Sequence, residues 1–189
     1  MVHHLGVAHR TTAELEAAVD HLLASPADAG TVDLIVARPA VLERSVVQSC
    51  VLDLELGLVG DNWKARGSRH TDDGSAEHGR QLTLMNSRAV DLFAGGDRSR
   101  WPEAGDQLYV DLLLSEANVP AGTRLAIGDA VVEVSELPHT GCAKFLERFG
   151  QDVTRFINVG IGRDLHLRGI NAFVVTPGRV ATGDVVKKV

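Results

Sequence analysis

The chemistry-bearing residues of this chain gather around one cysteine. In Pro138-His139-Thr140-Gly141-Cys142-Ala143-Lys144-Phe145 a thiol lies between a strand candidate and a helix start, with cationic side chains beside it. A thiolate is both the stronger nucleophile and the metal-binding form of cysteine, and positive neighbours favour it. Lys144, Arg148 and a protonatable His139 supply that charge. Thr140 is expected to cap a short helix running through Phe145, Leu146 and Phe149 to Gly150, which would leave Cys142 in the first turn, at the positive end of the helix dipole. The competing reading is a small buried hydrophobe, the commonest fate of an unpaired cysteine.

A second polar stretch, Gly57 through Gln81, carries Lys64, Arg66, Arg69, His70, His78 and Arg80 without hydrophobic periodicity. Loops of this length are either functional or solvated, and this one concentrates cations on an otherwise acidic protein. It reads equally as an anion-binding loop and as a surface loop whose charges face water. Zinc held by His139, Cys142, His70 and His78 has suitable ligand types, but there is no second compact pair at zinc spacing. A Cys–His–Asp hydrolase lacks any residue marked as the base or as an oxyanion donor.

The elements that must position these groups are mostly short strands. Val32–Val36, Ser45–Leu52, Gln81–Met85, Leu108–Leu114, Arg124–Ile127, Ala130–Glu136 and Ile170–Val175 are apolar or β-branched runs punctuated by Gly, Pro or Asp. Gly128-Asp129 between two such runs predicts a tight hairpin. Short helices are expected over Ser87–Ala94, capped by Asn86 and stopped by Gly95-Gly96, and over Asp152–Asn158. Thr11-Thr-Ala-Glu14 is a capping-box pattern ahead of Leu15, Val19, Leu22 and Leu23 on one face, an amphipathic helix stopped at Ser25-Pro26. Many strands with few helices between them do not build a doubly wound sheet. A mainly β fold with small helices, a mixed and closed barrel, solves the edge-strand problem instead.

Composition narrows the partners. The 189 residues carry 44% hydrophobic residues and a formal charge of −6, enough for a genuine core and unsuited to a broad nucleic-acid or anionic-membrane surface. Cys50 and Cys142 lie far apart without a disulfide framework, so free thiols in a reducing cytoplasm are expected. The first residues, Met1-Val-His-His-Leu-Gly-Val, lack the pattern of a signal peptide, and no apolar run reaches membrane-spanning length. Trp63 and Trp101 are expected to anchor core or loop.

The order of the pieces resembles the MOSC domain, the module similar to the C-terminal part of molybdenum cofactor sulfurases. The likeness rests on Gly57-Leu-Val-Gly60-Asp61, Gly79-Arg80-Gln81, Pro120-Ala-Gly-Thr-Arg124, His139-Thr-Gly-Cys142-Ala-Lys144-Phe145 and Arg168-Gly169-Ile170. It covers residues 31 to 189 as a MOSC-like β-barrel and leaves 1 to 30 as a helical extension. Many members have Pro directly before the cysteine, where this chain has Gly141, and a shorter loop than Lys64 to His78.

The resemblance implies binding of the molybdenum cofactor, a molybdenum–pterin dithiolene with a phosphate. Cys142 then takes the place of the metal- or sulfur-bearing residue. Lys64, Arg66, His78, Arg80, His139, Lys144 and Arg168 are the candidates for holding the cofactor, Arg80 and Arg168 foremost because guanidinium forks match oxyanions. The leading expectation is a small oxotransferase that reduces N-hydroxylated or N-oxide compounds with Cys142 on the metal. The alternative is a non-catalytic carrier of the cofactor, or of sulfur as a Cys142 persulfide, for an acceptor protein. No pyridoxal-phosphate lysine context is evident, and two cysteines cannot hold an iron–sulfur cluster, so electrons would come from an external donor protein.

Overall fold

The computed structural model describes residues 9 to 189; the leader-peptide reading of Met1 to Val7 falls outside them. Strands β1 (Ala29–Ala37), β5 (Leu82–Asn86), β6 (Leu108–Asp111), β7 (Arg124–Ile127), β8 (Ala130–Val134), β9 (Ile170–Thr176) and β11 (Val185–Lys188) close a seven-stranded barrel in the order β1-β11-β7-β8-β9-β5-β6. A ring of seven strands cannot alternate direction throughout. The unavoidable parallel pair is β5 with β6, Leu84 opposite Leu108, and every other pair is antiparallel. A parallel pair needs a long crossover, supplied by α4 (Ser87–Ala94) and the 3-10 turns of Arg98–Ala104.

β2 (Ser45–Val47) extends the sheet beyond β1, and β10 (Gly178–Ala181), β3 (Ser49–Asp53) and β4 (Gly57–Leu58) form a small second sheet. The expected strand over 45 to 52 is therefore two strands in two different sheets. The hairpin at Gly128-Asp129 forms as expected, with Ile127 opposite Ala130. Strands β4, β10 and β11 were not expected: two to four residues give little alternation to read, and β7, as short, was legible through the Gly128-Asp129 turn signal.

Alternation along the strands sorts side chains into two cores. Leu82, Leu84, Leu108, Val110, Leu125 and Ile127 fill the barrel. Met85 and Tyr109 point outward into a helical layer with Phe93, Trp101, Phe145 and Phe149. β1 also serves both cores, and its register slips between Val32 and Leu34. Val32 and Ile35 face the barrel while Leu34 and Val36 face the helices, a change of side that a bulge produces.

The helical layer contains α5 (Ala143–Phe149), α6 (Gln151–Asn158) and α7 (Gly160–Asp164). The expected N-terminal helix is broken at Ala18 into α1 (Thr12–Ala17) and α2 (Val19–Leu23), with the Thr11/Glu14 capping box in place. Leu15 and Leu22 are buried in the helical core, but Leu23 is exposed, because successive residues of a helix point about 100° apart. Both tryptophans, Trp63 and Trp101, are buried. Among the described residues no helix is long and apolar enough to cross a membrane.

Candidate functional site

Cys142 opens onto a cleft of about 250 Å³ between the barrel and the helical layer. Cations Arg38, Arg44, Arg66, Lys144, Arg148 and Arg168 line it together with His139, and no carboxylate is among its lining residues. The cleft shares Leu42, Arg44 and Arg148 with a broader groove of about 550 Å³ that also takes in Arg100.

Cys142 is exposed and is the N-cap of α5, one position before the first turn; its carbonyl accepts from Phe145 N at 2.9 Å and Leu146 N at 3.0 Å. This corrects the expected Thr140 cap. Gly141 packs so closely on α6 that a Cβ would lie 3.1 Å from Ile157 Cδ1, and Cys142 itself has the extended backbone of an N-cap. The positive surroundings of the thiol are therefore chiefly side chains from distant parts of the chain.

Two buried carboxylates lie behind the cleft and fix its inner cations. Asp61 takes a two-pronged contact from Arg38, Nε to Oδ2 at 2.7 Å and Nη2 to Oδ1 at 3.0 Å, while Arg38 Nη1 donates to Gly105 O at 3.1 Å. Asp106 accepts from Arg168 Nη1 at 2.7 Å and from His139 Nε2 at 2.8 Å. Arg168 Nη2 donates to Ala104 O at 3.1 Å, and its guanidinium lies 4.8 Å over the Phe145 ring. Burial would raise the Asp106 carboxyl, but Arg168 and then His139 outweigh it and hold the group at about 2. Burial, reinforced by Arg168, pushes the His139 imidazole below its ordinary value against the opposing pull of Asp106. His139 is thus neutral near pH 7. Its Nε2–H is committed to Asp106, and Nδ1 keeps its lone pair.

The outer cations are not neutralised in this way. Among the described residues, Arg44, Arg66, Lys144 and Arg148 form no ion pair. Burial and then the like charge of Arg38 depress both Arg44 and Arg66, with Arg148 acting on Arg44 as well. Three buried polar atoms have no partner in the described structure, Arg44 Nε, Asn62 Oδ1 and Arg168 Nε, and all three belong to residues lining this cleft. Crowded cations and orphaned donors call for an oxyanion-bearing ligand. Asn62 Oδ1 calls in addition for a ligand N–H or O–H.

Of the residues singled out in the sequence, Arg66, His139, Cys142, Lys144 and Arg168 converge here. Lys64 is exposed on α3 (Trp63–Arg66) and is not in the cleft lining. His78 stacks on Phe173 at 4.5 Å. Arg80 is occupied by Glu77 at 2.8 Å and by the Pro138 carbonyl at 3.0 Å, so its guanidinium braces the segment leading to His139. Arg69 and His70 are likewise outside the lining. Among the described residues no three His, Cys, Asp or Glu side chains cluster to cage a metal. Sequence reasoning did not single out Arg38, Arg44, Asn62 or Asp106; Arg148 entered only as a neighbour of the thiol, and Asp61 only within a motif.

The family model of the MOSC domain matches residues 69–187. The fold is similar to that of the YuaD protein from Bacillus subtilis, at 16% identity and a TM-score of 0.62 over 84% of this chain and 94% of that one. It is similar also to YiiM from Escherichia coli, at 21% identity and a TM-score of 0.55 over 84% of this chain and 69% of the other. YiiM from Geobacillus stearothermophilus gives 15% identity and a TM-score of 0.51 over 85% and 75%. No curated protein sequence matches the chain. With a family match over well more than half its length and a closed mixed barrel of the same architecture, this chain belongs to the MOSC domain family, which is associated with molybdenum-cofactor binding.

Proposed function

We propose that the chain binds the molybdenum cofactor in the cationic cleft, with Cys142 as metal ligand, and acts as a small oxotransferase that reduces N-hydroxylated or N-oxide compounds. The observation that carries this reading is the exposed Cys142 thiol set among four cations that have no carboxylate partner among the described residues. The donor set fits the group. A soft thiolate suits a metal already held by dithiolene sulfurs, and guanidinium and ammonium groups suit its phosphate and pterin oxygens. The cleft and the groove continuous with it offer room for both ends of such a ligand.

Arg44, Arg66, Lys144 and Arg148 would hold the phosphate and ring oxygens, and Asn62 Oδ1 would accept from a pterin N–H. When bound, the cofactor supplies two-electron oxygen-atom chemistry at molybdenum. Reduction of an N–OH group to N–H with release of water consumes two protons as well as two electrons. His139 Nδ1 is the nitrogen able to take up and pass on a proton, because Asp106 fixes the tautomer at Nε2. The electrons would come from an external donor protein, and the cytoplasm is the compartment proposed for both.

The test is the molybdenum and pterin content of protein made in a host that synthesises the cofactor. Near-stoichiometric metal lost in Cys142→Ser and kept in Cys50→Ser supports the site; absence of both metal and pterin from the unaltered protein overturns it. The exposure of Cys142 favours a second reading, a carrier that delivers cofactor or persulfide sulfur to an acceptor protein. Transfer to an apoenzyme without N-oxide reductase activity would select it.

A further inference from the structure

Strand β2 ends the main sheet, and among the described residues no strand pairs with its outer edge. Val36 stands opposite Val46, but its N–H donates to Gln107 O at 2.8 Å, away from β2. In an antiparallel ladder the two members of such a pair are not bonded to each other, so the N–H and C=O of Val46 point out over the open edge. Edge strands are ordinarily guarded by lysine, proline or a bulge. β2 reads Ser-Val-Val, and the run from Ser45 to Leu52 contains no charged residue, proline or glycine.

The same stretch concentrates apolar surface. Of the thirteen large aliphatic side chains exposed among the described residues, seven lie between residues 41 and 59. Val51 and Val59 face out from β3 and β4 as neighbours, with Val59 N donating to Val51 O at 2.9 Å, while Leu52 and Leu58 turn inward to the barrel core. Leu54 and Leu56 stand on the turn that closes this hairpin. Seven half-exposed aliphatic side chains present several hundred Å² of apolar surface, a size that marks an interaction site, against the about 800 Å² that each partner contributes to a stable interface.

Charge selects the occupant. With a formal charge of −6, two copies of this chain repel one another over most approaches, and least where both faces are uncharged. Arg179, opposite Val51 on β10, is exposed and has no carboxylate partner among the described residues; Glu55, on the hairpin turn, is exposed and has no cation. In a twofold contact each face meets its own copy, so a free cation and a free anion on one face can satisfy each other twice. An open edge is self-complementary in the same way, because antiparallel pairing about Val46 sets its N–H and C=O against those of the second copy.

We propose that this face docks a second copy of the chain, with the two β2 edges antiparallel about a twofold axis at Val46. Val41 and Leu42 line the Cys142 cleft as well, so the interface adjoins the cleft mouth. The pairing is independent of what the cleft binds.

The experiment is sedimentation velocity of the full chain from about 1 to 100 μM, where the unaltered protein should run as a dimer. Val46→Lys, which sets a charge against its own copy at the axis, and Val51→Glu should each weaken dimerisation about a hundredfold. Val159→Lys, at a position 53% exposed but outside the patch, should leave it unchanged. Val46→Cys tests the register without adding charge. Residues that exchange both hydrogen bonds in an antiparallel pair lie about 5.5 Å apart at Cα, within disulfide reach, so diamide should link the two substituted positions. Peptide mass mapping separates that link from any made by Cys142. A monomer over the whole range, a dimer unmoved by both Val46→Lys and Val51→Glu, or a Val46→Cys dimer linked through Cys142 alone would overturn the assignment.

Discussion

Arg168 and Asp106, 62 positions apart in sequence, form a fully buried ion pair at 2.7 Å behind the cationic cleft. Both charges are removed from water, so each depends on the other. Asp106→Asn should cost about 3–5 kcal/mol of stability, since it leaves a buried guanidinium without its carboxylate. Urea denaturation measures the loss. Lys64→Ala, at an exposed position, should stay within about 0.5 kcal/mol.

Acid should act on stability in two stages. His139 has a lowered pKa in the fold, so the unfolded chain binds the proton more readily, and stability falls as pH drops below about 6.5, the ordinary histidine value. Asp106 is depressed from 3.8 to about 2, so its contribution, on the order of 2 kcal/mol, is complete above pH 5 and is lost between pH 4 and 2. Thermal melts from pH 8 to pH 2 should show both stages, and His139→Gln should lack the first.

The two thiols should react at different rates. Cys142 is exposed, whereas burial pushes the Cys50 thiol up to about 11, leaving almost no thiolate near neutrality. Iodoacetamide at pH 7.5 should add one label to the native chain, on Cys142, and a second only after denaturation. Peptide mass mapping distinguishes the sites.

Cofactor loading should separate cations that line the cleft from those that do not. Arg66→Ala and Lys144→Ala should each lower molybdenum and pterin content severalfold. Lys64→Ala should leave loading unchanged, and metal analysis of the three purified variants checks the contrast.

Gly169 is held at φ +100°, where a Cβ would lie 2.4 Å from Leu84 O. Gly169→Ala should therefore destabilise by at least about 1–3 kcal/mol through backbone strain and steric conflict. A lowered urea midpoint would register it.

Local signals made much of this fold legible. The Gly128-Asp129 hairpin, the Asn86-capped helix and the Thr11/Glu14 capping box are decided by neighbours in sequence, and each forms. The site is legible where residues cluster, as around Cys142. Asp106 was not legible, because Ala104-Gly105-Asp106-Gln107 reads as an ordinary turn; its role comes from Arg168 and His139, 62 and 33 positions away. Arg38, just before a proline, reads likewise as a loop residue until Asp61 is brought against it. Arg80 had the right chemistry at the wrong address, because sequence gives a side chain's type but not the carbonyl it meets.

Barrel closure sets an order of events in synthesis. The ring is sealed by β1 pairing with β11, Ala29 opposite Lys187 and Thr31 opposite Val185. Every cleft residue, from Arg38 to Arg168, has therefore been made before the strand that completes the wall exists. Until β11 is made, the edge of β1 that it covers has no partner at Ala29–Thr31, and a free edge invites other pairings. Closure joins segments more than 150 residues apart, the kind of long-range contact that slows folding, so the wall of the barrel behind the cleft depends on the last strand of the chain to be made.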